Sequence, residues 1–349
     1  MKDKSFYADL AVYIILIAVL LVQTSCGKAE SSQADDKKER SFFAMDTYIT
    51  LTAYGNDDTE KALQSAESEI NELEKLWSVT DENSDIYKLN ESGSANVDNR
   101  TVDLISFALD MNERTGGAFD ITLYSVLKAW GFTTGEYRVP DDEEIAALLA
   151  NTGSDKVKLE GNAVQIADKM QIDLGAVGKG RAGDIAAKKL KDSGVTSAIL
   201  DLGGNIQTVG LKSDGSKWKV GIQSPFGEGS FATLSIGECA VVTSGGYERY
   251  FVQDGKTYWH ILDPKTGKPA DSGIASVTVV GKDGGLCDAL STSLFVMGLD
   301  DAEKLWYESD DFEMIIVTSD GEIYATEGLE NDIEINSDLT AEKVSVIRK

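Results

Sequence analysis

Strand and helix patterns follow one another irregularly along this chain, and that order limits the possible folds more than any other feature. Residues 43–53 alternate in the manner of a strand, and a stretch with apolar residues at helical spacing follows over 62–77. Neither a regular strand–helix–strand unit nor a repeat of fixed length is present. The sequence therefore predicts an α+β protein with mixed sheets and packed helices. Further helices are predicted at 102–114, 141–150, 183–191 and 288–297, strands at 157–159, 163–166, 198–202 and 274–280, and a hairpin at 312–325.

The N-terminus has the pattern of an export signal. Residues 11–22 are almost wholly apolar, and about twelve residues are too few for the ~20 of a permanent transmembrane helix. Small residues and Cys26 follow, in the manner of a bacterial lipobox. We expect residues 1–25 to be a lipoprotein-type signal peptide and lipidated Cys26 to anchor an exported protein to the outer face of the cytoplasmic membrane. An uncleaved signal anchor is the alternative, with the same location.

Residues 26–40 are polar, charged and free of aromatic side chains, so we expect a flexible tether. The globular part is predicted to span residues 41–349. About 300 residues can bury a substantial core, as one large domain of two closely packed lobes. Cys239 and Cys287 belong to no CxxC pair, so neither a zinc site nor a disulfide framework is indicated.

The chain carries 59 acidic and 33 basic residues, a formal net charge of −26. Nucleic-acid binding is disfavoured, because it requires a basic face that neutralises phosphates. A protein of this charge that handled phosphates would need a metal ion, glycine-rich backbone donors or well-placed lysines to offset its own repulsion.

His260 is the single histidine of the chain. It precedes a turn signal at Asp263-Pro264, which places it at the end of a strand, next to a loop. Imidazole takes and returns protons near neutral pH, so His260 is a candidate general base. The alternative is a packed strand residue beside Trp259 and Ile261.

A glycine-rich segment, residues 115–122, allows the backbone to approach a ligand closely. Phe119 would offer a ring face to that ligand, and Asp120 an acceptor. The alternative is a helix C-cap that leads into a strand.

A second segment, residues 173–181, opens a helix. Backbone N–H groups at a helix N-terminus bind anions, and Lys179 adds a positive charge where phosphates could lie. Neither a Walker loop nor a GxGxxG fingerprint is present.

A third segment, residues 287–292, places Asp288 and Thr292 four residues apart and therefore on one helix face. Both offer oxygen, which magnesium prefers, and magnesium commonly takes only one or two protein carboxylates. The alternative is an Asp N-cap with a threonine bonded to the preceding turn.

Taken in order, these segments resemble the ApbE family of FAD:protein FMN transferases. The resemblance runs from Phe42 to about Thr326. It is carried by Met45-Asp46-Thr47, the 78–90 loop with Ser84-Asp85-Ile86, GGAFD at 116–120, the Asp173 loop, Asp201–Asn205, Thr243-Ser244-Gly245, the HxxDPxTGxP run from His260, and Asp288–Thr292.

The resemblance implies a Mg²⁺-dependent enzyme that cleaves the pyrophosphate of FAD, attaches FMN by a phosphoester to a threonine of another protein and releases AMP. Its acceptors include subunits of Rnf-type or Nqr-type (sodium-translocating) electron-transport complexes. The acceptor threonine lies in a DGxTSGAT-like motif. This chain contains no such motif, so it is expected to be the transferase and not the acceptor.

Matched position by position, the resemblance implies His260 as the base. It implies FAD contacts from Met45, Thr80, Ala118, Phe119, Asp120, Asp173, Lys179 and Leu262, and metal ligation by the Ala176 carbonyl, Asp288 and Thr292. The sequence departs from the family at two positions. Thr80 stands where many relatives have an aromatic residue that stacks on the flavin or adenine. Ser291 stands where some have a second aspartate, which leaves one carboxylate at the metal.

Two other functions remain compatible with the sequence. One is an FAD pyrophosphatase, in which water replaces the threonine and free FMN and AMP are formed. The other is a non-catalytic lipoprotein that stores or delivers FAD.

Overall fold

The computed structural model describes residues 36–336 and 344–349. The predicted signal peptide and Cys26 lie outside the described residues. The helices are α1 (Asp57–Trp77), α2 (Asp85–Ser92), α3 (Asn99–Arg114), α4 (Tyr124–Trp130), α5 (Asp142–Leu149), α6 (Gly175–Asp192), α7 (Gly284–Met297) and α8 (Leu299–Tyr307).

Seventeen strands occur in the same ranges of the chain. They are β1 (Asp36–Ala44), β2 (Thr47–Gly55), β3 (Ser94–Asn96), β4 (Lys158–Glu160), β5 (Ala163–Gln165), β6 (Ala198–Leu202), β7 (Asn205–Val209), β8 (Trp218–Gln223), β9 (Ser230–Ile236), β10 (Ala240–Gly245), β11 (Tyr250–Gln253), β12 (Lys256–Trp259), β13 (Ile274–Gly281), β14 (Phe312–Thr318), β15 (Ile323–Thr326), β16 (Ile333–Ile335) and β17 (Val344–Ile347).

The described part of the chain is organised around a nine-stranded mixed sheet with the order β1-β2-β6-β7-β10-β13-β14-β15-β17. Strands β6, β7, β10, β13 and β14 pair antiparallel with their neighbours, whereas β15 and β17 run parallel. Smaller sheets are formed by β16-β9-β8, by β3-β5-β4 and by the β11-β12 hairpin. Residues 37–349 form one compact unit. The predicted α+β class and the single large domain are confirmed.

Both faces of the large sheet are buried. Met314 and Ile316 of β14 belong to a hydrophobic cluster that the helices complete, while Ile315 and Val317 belong to a second cluster that β8 and β9 complete. Since successive strand residues point to opposite faces, the two clusters lie on the two sides of the sheet. The helices α1, α6 and α7 therefore pack on one side of the large sheet, and the three-stranded sheet β16-β9-β8 packs on the other.

A third, smaller cluster supports the β11-β12 hairpin. Trp130 lies in this cluster and donates through its indole nitrogen to the Gly267 carbonyl at 2.8 Å. Its ring centroid is 5.4 Å from that of Tyr258, and the Phe251 and Tyr258 rings stack at 5.2 Å. The chain that leads into His260 is therefore held by aromatic packing.

The strand predicted at 43–53 is wrong in one respect, because it is two strands joined by a tight turn. Met45 and Asp46 have φ of 52° and 58°. Two successive left-handed residues reverse the chain, as in the type I′ turns of hairpins. The apolar alternation continues on both sides of the turn, and for this reason the sequence pattern did not reveal it.

The structure also corrects the predicted tether boundary, because residues 36–40 are part of β1 and not of a flexible segment. Arg40 bonds to Glu60 and Glu67 of α1, and Thr52 of β2 donates to Glu39. Backbone pairing and ion pairs order these polar residues, and the apolar end of the same strand, with Phe42 and Ala44, joins the hydrophobic core.

The helix predicted at 183–191 begins eight residues earlier, at Gly175. The glycines at 175, 178 and 180 thus lie inside α6 and not in a loop before it. Three other helices, α1, α3 and α7, include the ranges predicted for them. Within residues 36–336 and 344–349, no helix is both long and apolar enough to cross a membrane.

Candidate functional site

One cleft of about 1070 Å³ contains every residue that the sequence predicted for catalysis, FAD contact or metal ligation. Elements distant in sequence meet there: the β1-β2 turn, the loop before α4, the N-terminus of α6, α7 and the segment after β12. The predicted residues on its wall are Met45, Thr80, Ala118, Phe119, Asp120, Asp173, Ala176, Lys179, His260, Leu262, Asp288 and Thr292.

The N-terminus of α6 forms one side of the cleft. Asp173 precedes this helix, and its Oδ1 accepts from the Gly175 N–H at 2.8 Å. Its own N–H donates to the Ile121 carbonyl at 2.8 Å, which fixes the two predicted ligand segments to each other. Burial raises the pKa of Asp173, against the opposing effects of the Gly175 N–H, Arg249 and Lys179.

Asp288 and Thr292 lie on the side of α7 that faces the cleft. The Gly180 N–H of α6 donates to Asp288 Oδ2 at 2.8 Å. In a regular helix that N–H would bond to the Ala176 carbonyl four residues earlier. This hydrogen bond joins α6 to α7 one turn beyond Ala176.

The donor set fits a magnesium ion. Among the described residues, no three His, Cys, Asp or Glu side chains gather in a metal-binding group. One carboxylate, one hydroxyl and one carbonyl is a set that suits magnesium, which completes its octahedron with waters and phosphate oxygens. Ser291 is fully buried, and its hydroxyl bonds to Ser244 at 2.8 Å and to the Asp288 carbonyl at 2.9 Å.

The GGAFD segment lies on the cleft wall, and Phe119 is almost fully buried there. Phe119 is 1% exposed and belongs to the main hydrophobic cluster, and the ring face that it would offer to a ligand stays a prediction. The Phe119 N–H donates to Thr115 and its carbonyl accepts from Asn112. Asp120 Oδ1 accepts from the N–H and hydroxyl of Thr122, at 2.8 and 2.7 Å. Asp120 Oδ2 has no hydrogen-bond partner in the described ranges.

Met45 and Thr80 lie where the β1-β2 turn and the end of α1 reach the cleft. The Met45 N–H donates to Glu74 Oε1 at 2.7 Å, which ties the left-handed turn to α1. Thr80 is exposed, and its N–H bonds to Ser78 Oγ at 3.1 Å. At this position the cleft has a hydroxyl and no ring. Leu262 is 5% exposed and belongs to the cluster beneath the hairpin.

His260 directly follows β12, as its turn signal predicted. Its backbone N–H donates to the Arg249 carbonyl at 3.1 Å, and its Nδ1 lies 3.3 Å from the same oxygen. A carbonyl can only accept, so Nδ1 carries the hydrogen and Nε2 keeps its lone pair. Phe132 contacts the ring edge-on, with centroids 6.3 Å apart.

The surroundings of His260 keep its imidazole neutral. Burial, together with the positive charges of Arg249 and Lys179, lowers the pKa of His260 to about 4. Its side chain still reaches the cleft, because His260 is part of the cleft wall. At neutral pH the ring is therefore an unprotonated base at a place that a ligand can reach.

Sequence reasoning gave no role to Glu248 and Arg249, which also line the cleft. The side chain of Glu248 is exposed to solvent on the cleft wall. Desolvation by the surrounding protein, reinforced by Asp288, raises the pKa of Glu248 to about 7, against the opposing charges of Lys179 and Arg249. The sequence contained a signal for these two residues. Glu248 and Arg249 are adjacent charged residues that follow Gly245-Gly246 and precede the β11-β12 hairpin, after which His260 comes.

Acidic groups outnumber basic ones in the cleft. Seven carboxylates line it, against two lysines and one arginine. A phosphate-bearing ligand would meet net repulsion unless a cation accompanied it. The carboxylates are Asp46, Glu74, Asp120, Asp173, Asp201, Glu248 and Asp288, and the cations are Lys179, Lys219 and Arg249.

These features are typical of an enzyme that binds a phosphorylated ligand together with a divalent cation. Residues 45–316 match the ApbE family. A curated protein of Treponema pallidum (strain Nichols), named FAD:protein FMN transferase, is 30% identical over 359 residues, covering 96% of this chain and 98% of the relative.

Two solved structures share the fold. The ApbE protein of Thermotoga maritima has a TM-score of 0.80 at 33% identity, and the alignment covers 85% of this chain and 99% of that one. The flavin transferase ApbE from Vibrio cholerae has a TM-score of 0.77 at 28% identity, with the same coverage of each chain. The chain belongs to the ApbE family.

The lone histidine makes its titration directly observable. We expect its ring proton resonance to shift with a midpoint of about 4, well below the ordinary 6.5. Between these pH values the unfolded chain binds a proton that the folded chain does not, so this group makes folding less favourable as pH falls through that window and contributes nothing above it. ¹H–¹³C NMR measures the midpoint.

The Arg249→Gln variant is the control for this titration, because it removes a positive charge and keeps the backbone carbonyl. Its midpoint should rise. A wild-type midpoint at 6.5 would show that the surroundings of the ring do not lower the pKa of His260.

Proposed function

We propose that this chain transfers FMN from FAD to a threonine hydroxyl of another protein, with Mg²⁺ as cofactor and AMP as the second product. The observation that carries the proposal is the presence, in one cleft, of a neutral imidazole and the Asp288–Thr292 oxygen pair. Membership of a family whose curated relatives are named FAD:protein FMN transferase supports it.

The charge of the cleft supports the dependence on a metal. FAD brings a diphosphate to a wall with seven carboxylates. Asp288, Thr292 and the Ala176 carbonyl would hold Mg²⁺, which when bound would offset phosphate charge and orient the diphosphate. Lys179 and the N–H groups at the start of α6 would share the remaining charge.

His260 is the proposed base that takes the proton from the threonine hydroxyl, which is a poor nucleophile while protonated. The acceptor hydroxyl forms a bond to the phosphorus of the FMN half, and the bond from that phosphorus to the bridging oxygen breaks. The hydroxyl proton passes to His260 Nε2, and AMP leaves with the bridging oxygen. Transfer of this kind requires in-line positioning more than covalent participation by the protein. A positioned base contributes about 10²–10⁴ in rate.

The Nδ1 contact prepares His260 for this role. The Arg249 carbonyl accepts from Nδ1, which leaves Nε2 unprotonated. As the ring gains a proton, the same carbonyl remains an acceptor.

Replacing His260 tests the proposed base. We expect His260→Ala to lower FMN transfer by about 10²–10⁴, because no second imidazole is present in the chain. FAD binding should change little. The assay combines Mg²⁺, FAD and a peptide with the acceptor motif, and follows covalent flavin by fluorescence and AMP by chromatography.

Three outcomes separate the candidate functions. Covalent flavin on the peptide together with AMP supports the transferase. Free FMN and AMP without labelled peptide would identify an FAD pyrophosphatase. Bound FAD with no AMP after addition of Mg²⁺ would identify a flavin-binding lipoprotein. Full transfer activity in His260→Ala would refute the base assignment.

The metal assignment has its own test. We expect Asp288→Ala to weaken Mn²⁺ binding by more than about tenfold, because mutation of residues that only hydrogen-bond to metal ligands commonly lowers metal affinity by about 10–100-fold. Electron paramagnetic resonance of Mn²⁺ measures the affinity. Ser291→Ala is the matched control, because Ser291 neighbours Thr292 but does not line the cleft. Equal Mn²⁺ affinity in wild type and Asp288→Ala would contradict the assignment.

Export and lipidation at Cys26 complete the proposal and rest on the sequence pattern alone. An anchor on the outer face of the membrane would bring the enzyme to exported acceptors such as Rnf-type or Nqr-type subunits. Metabolic labelling with a fatty-acid analogue should mark the wild type. The Cys26→Ser variant should remain unlabelled, and labelling of both would refute lipidation at this residue.

A further inference from the structure

Asp184 lies on α6, but its carboxylate bonds to a different helix. Oδ1 accepts from the Gly284 N–H at 2.8 Å, and Oδ2 accepts from the Gly285 N–H at 2.9 Å. These donors belong to the first turn of α7, where backbone N–H groups have no partner within their own helix. Asp184 therefore caps α7 from outside and joins it to α6.

Asp283 is the N-cap of α7 itself, and it satisfies a different donor. Its Oδ1 accepts from the Leu286 N–H at 2.7 Å. Arg181 lies between the two carboxylates, 3.6 Å from Asp283 and 3.8 Å from Asp184. Both aspartates stabilise the start of α7, but only Asp184 connects it to the other helix.

The same helix pair presents the proposed metal ligands. Ala176 is on α6, and Asp288 and Thr292 are on α7. At Gly180 a Cβ atom would stand 2.1 Å from the Gly284 carbonyl oxygen, so the two backbones are in direct contact. The Gly180 N–H bonds to Asp288, which follows Gly284 by about one turn. A small shift of the first turn of α7 would therefore displace Asp288.

We propose that Asp184 is a positioning residue for the metal site: by holding the first turn of α7 against α6, it sets the register in which Asp288 and Thr292 face the Ala176 carbonyl. The inference rests on the proposed function only for the identity of the metal. It assigns to Asp184 a role in cation affinity beyond helix capping.

Asp184 has further partners that fix its direction. The Gln207 side-chain amide donates to Oδ1, and the side chain of Asp184 is only 18% exposed. Burial and Asp283 raise the pKa of Asp184, whereas the N–H groups of Gly284 and Gly285 and the Gln207 amide oppose that rise. The carboxylate is thus held from three sides and has little freedom to reorient.

The test compares Asp184→Ala with Asp283→Ala in the full globular chain. Both remove a cap from α7, so both should lower the melting temperature. We expect Asp184→Ala to weaken Mn²⁺ binding by about tenfold, and Asp283→Ala to change it by less than about twofold. Electron paramagnetic resonance of Mn²⁺ measures affinity without any need for turnover. Asp184→Asn, which keeps one acceptor oxygen, should give an intermediate affinity and covers the case in which Asp184→Ala fails to fold.

Two results would overturn the inference. One is wild-type Mn²⁺ affinity in a folded Asp184 variant, and the other is equal weakening by Asp283→Ala, which would make capping alone sufficient. Either could occur in a protein that still transfers FMN, so the proposed function would stand. A wild-type chain that bound Mn²⁺ but transferred no FMN would refute the proposed function. The positioning role would still be tested by the Mn²⁺ affinities of Asp184→Ala and Asp283→Ala.

Discussion

The direct backbone contact between α6 and α7 is the constraint on which the site depends. Because Gly180 has no side chain, its backbone meets the Gly284 carbonyl, and the Gly180 N–H reaches Asp288. Asp184 closes the same contact at the start of α7. The helix terminus proposed to bind phosphate and the oxygen pair proposed to bind the cation therefore lie on two helices that are in direct backbone contact.

The electrostatics of the cleft reconcile two opposite requirements. Burial favours uncharged groups, and it keeps His260 neutral, as a base must be. The same burial is unfavourable for the carboxylates that share the wall, and it raises the pKa of both Asp173 and Glu248. The proposed metal relieves that cost locally, because a divalent ion offsets the charges that surround it.

Much of the architecture could be predicted from local pattern. Helical spacing located α1 and α3, and the four-residue interval placed Asp288 and Thr292 on one face. What could not be predicted depends on distant or unusual geometry. The turn at Met45 requires a left-handed backbone conformation, which a methionine does not predict. Phe119 lines the cleft and is almost fully buried, and the partners of Asp184 lie about 100 residues away. Residues 36–40 of β1 gain their order from backbone pairing and ion pairs, which their polar sequence does not reveal.

The surplus of carboxylates in the cleft has a consequence for occupancy. The cation reduces the repulsion between the carboxylates and the diphosphate of FAD, and the diphosphate adds negative charge that attracts the cation. If both effects operate, the two affinities are linked, and the cation raises the affinity for FAD by the same factor by which FAD raises the affinity for the cation. The free divalent cation around the protein would then govern how much flavin it holds. In a chain with fewer acidic residues in this cleft, the affinity for FAD would depend less on the concentration of divalent cation. The cation concentration would then no longer control how much FAD is bound.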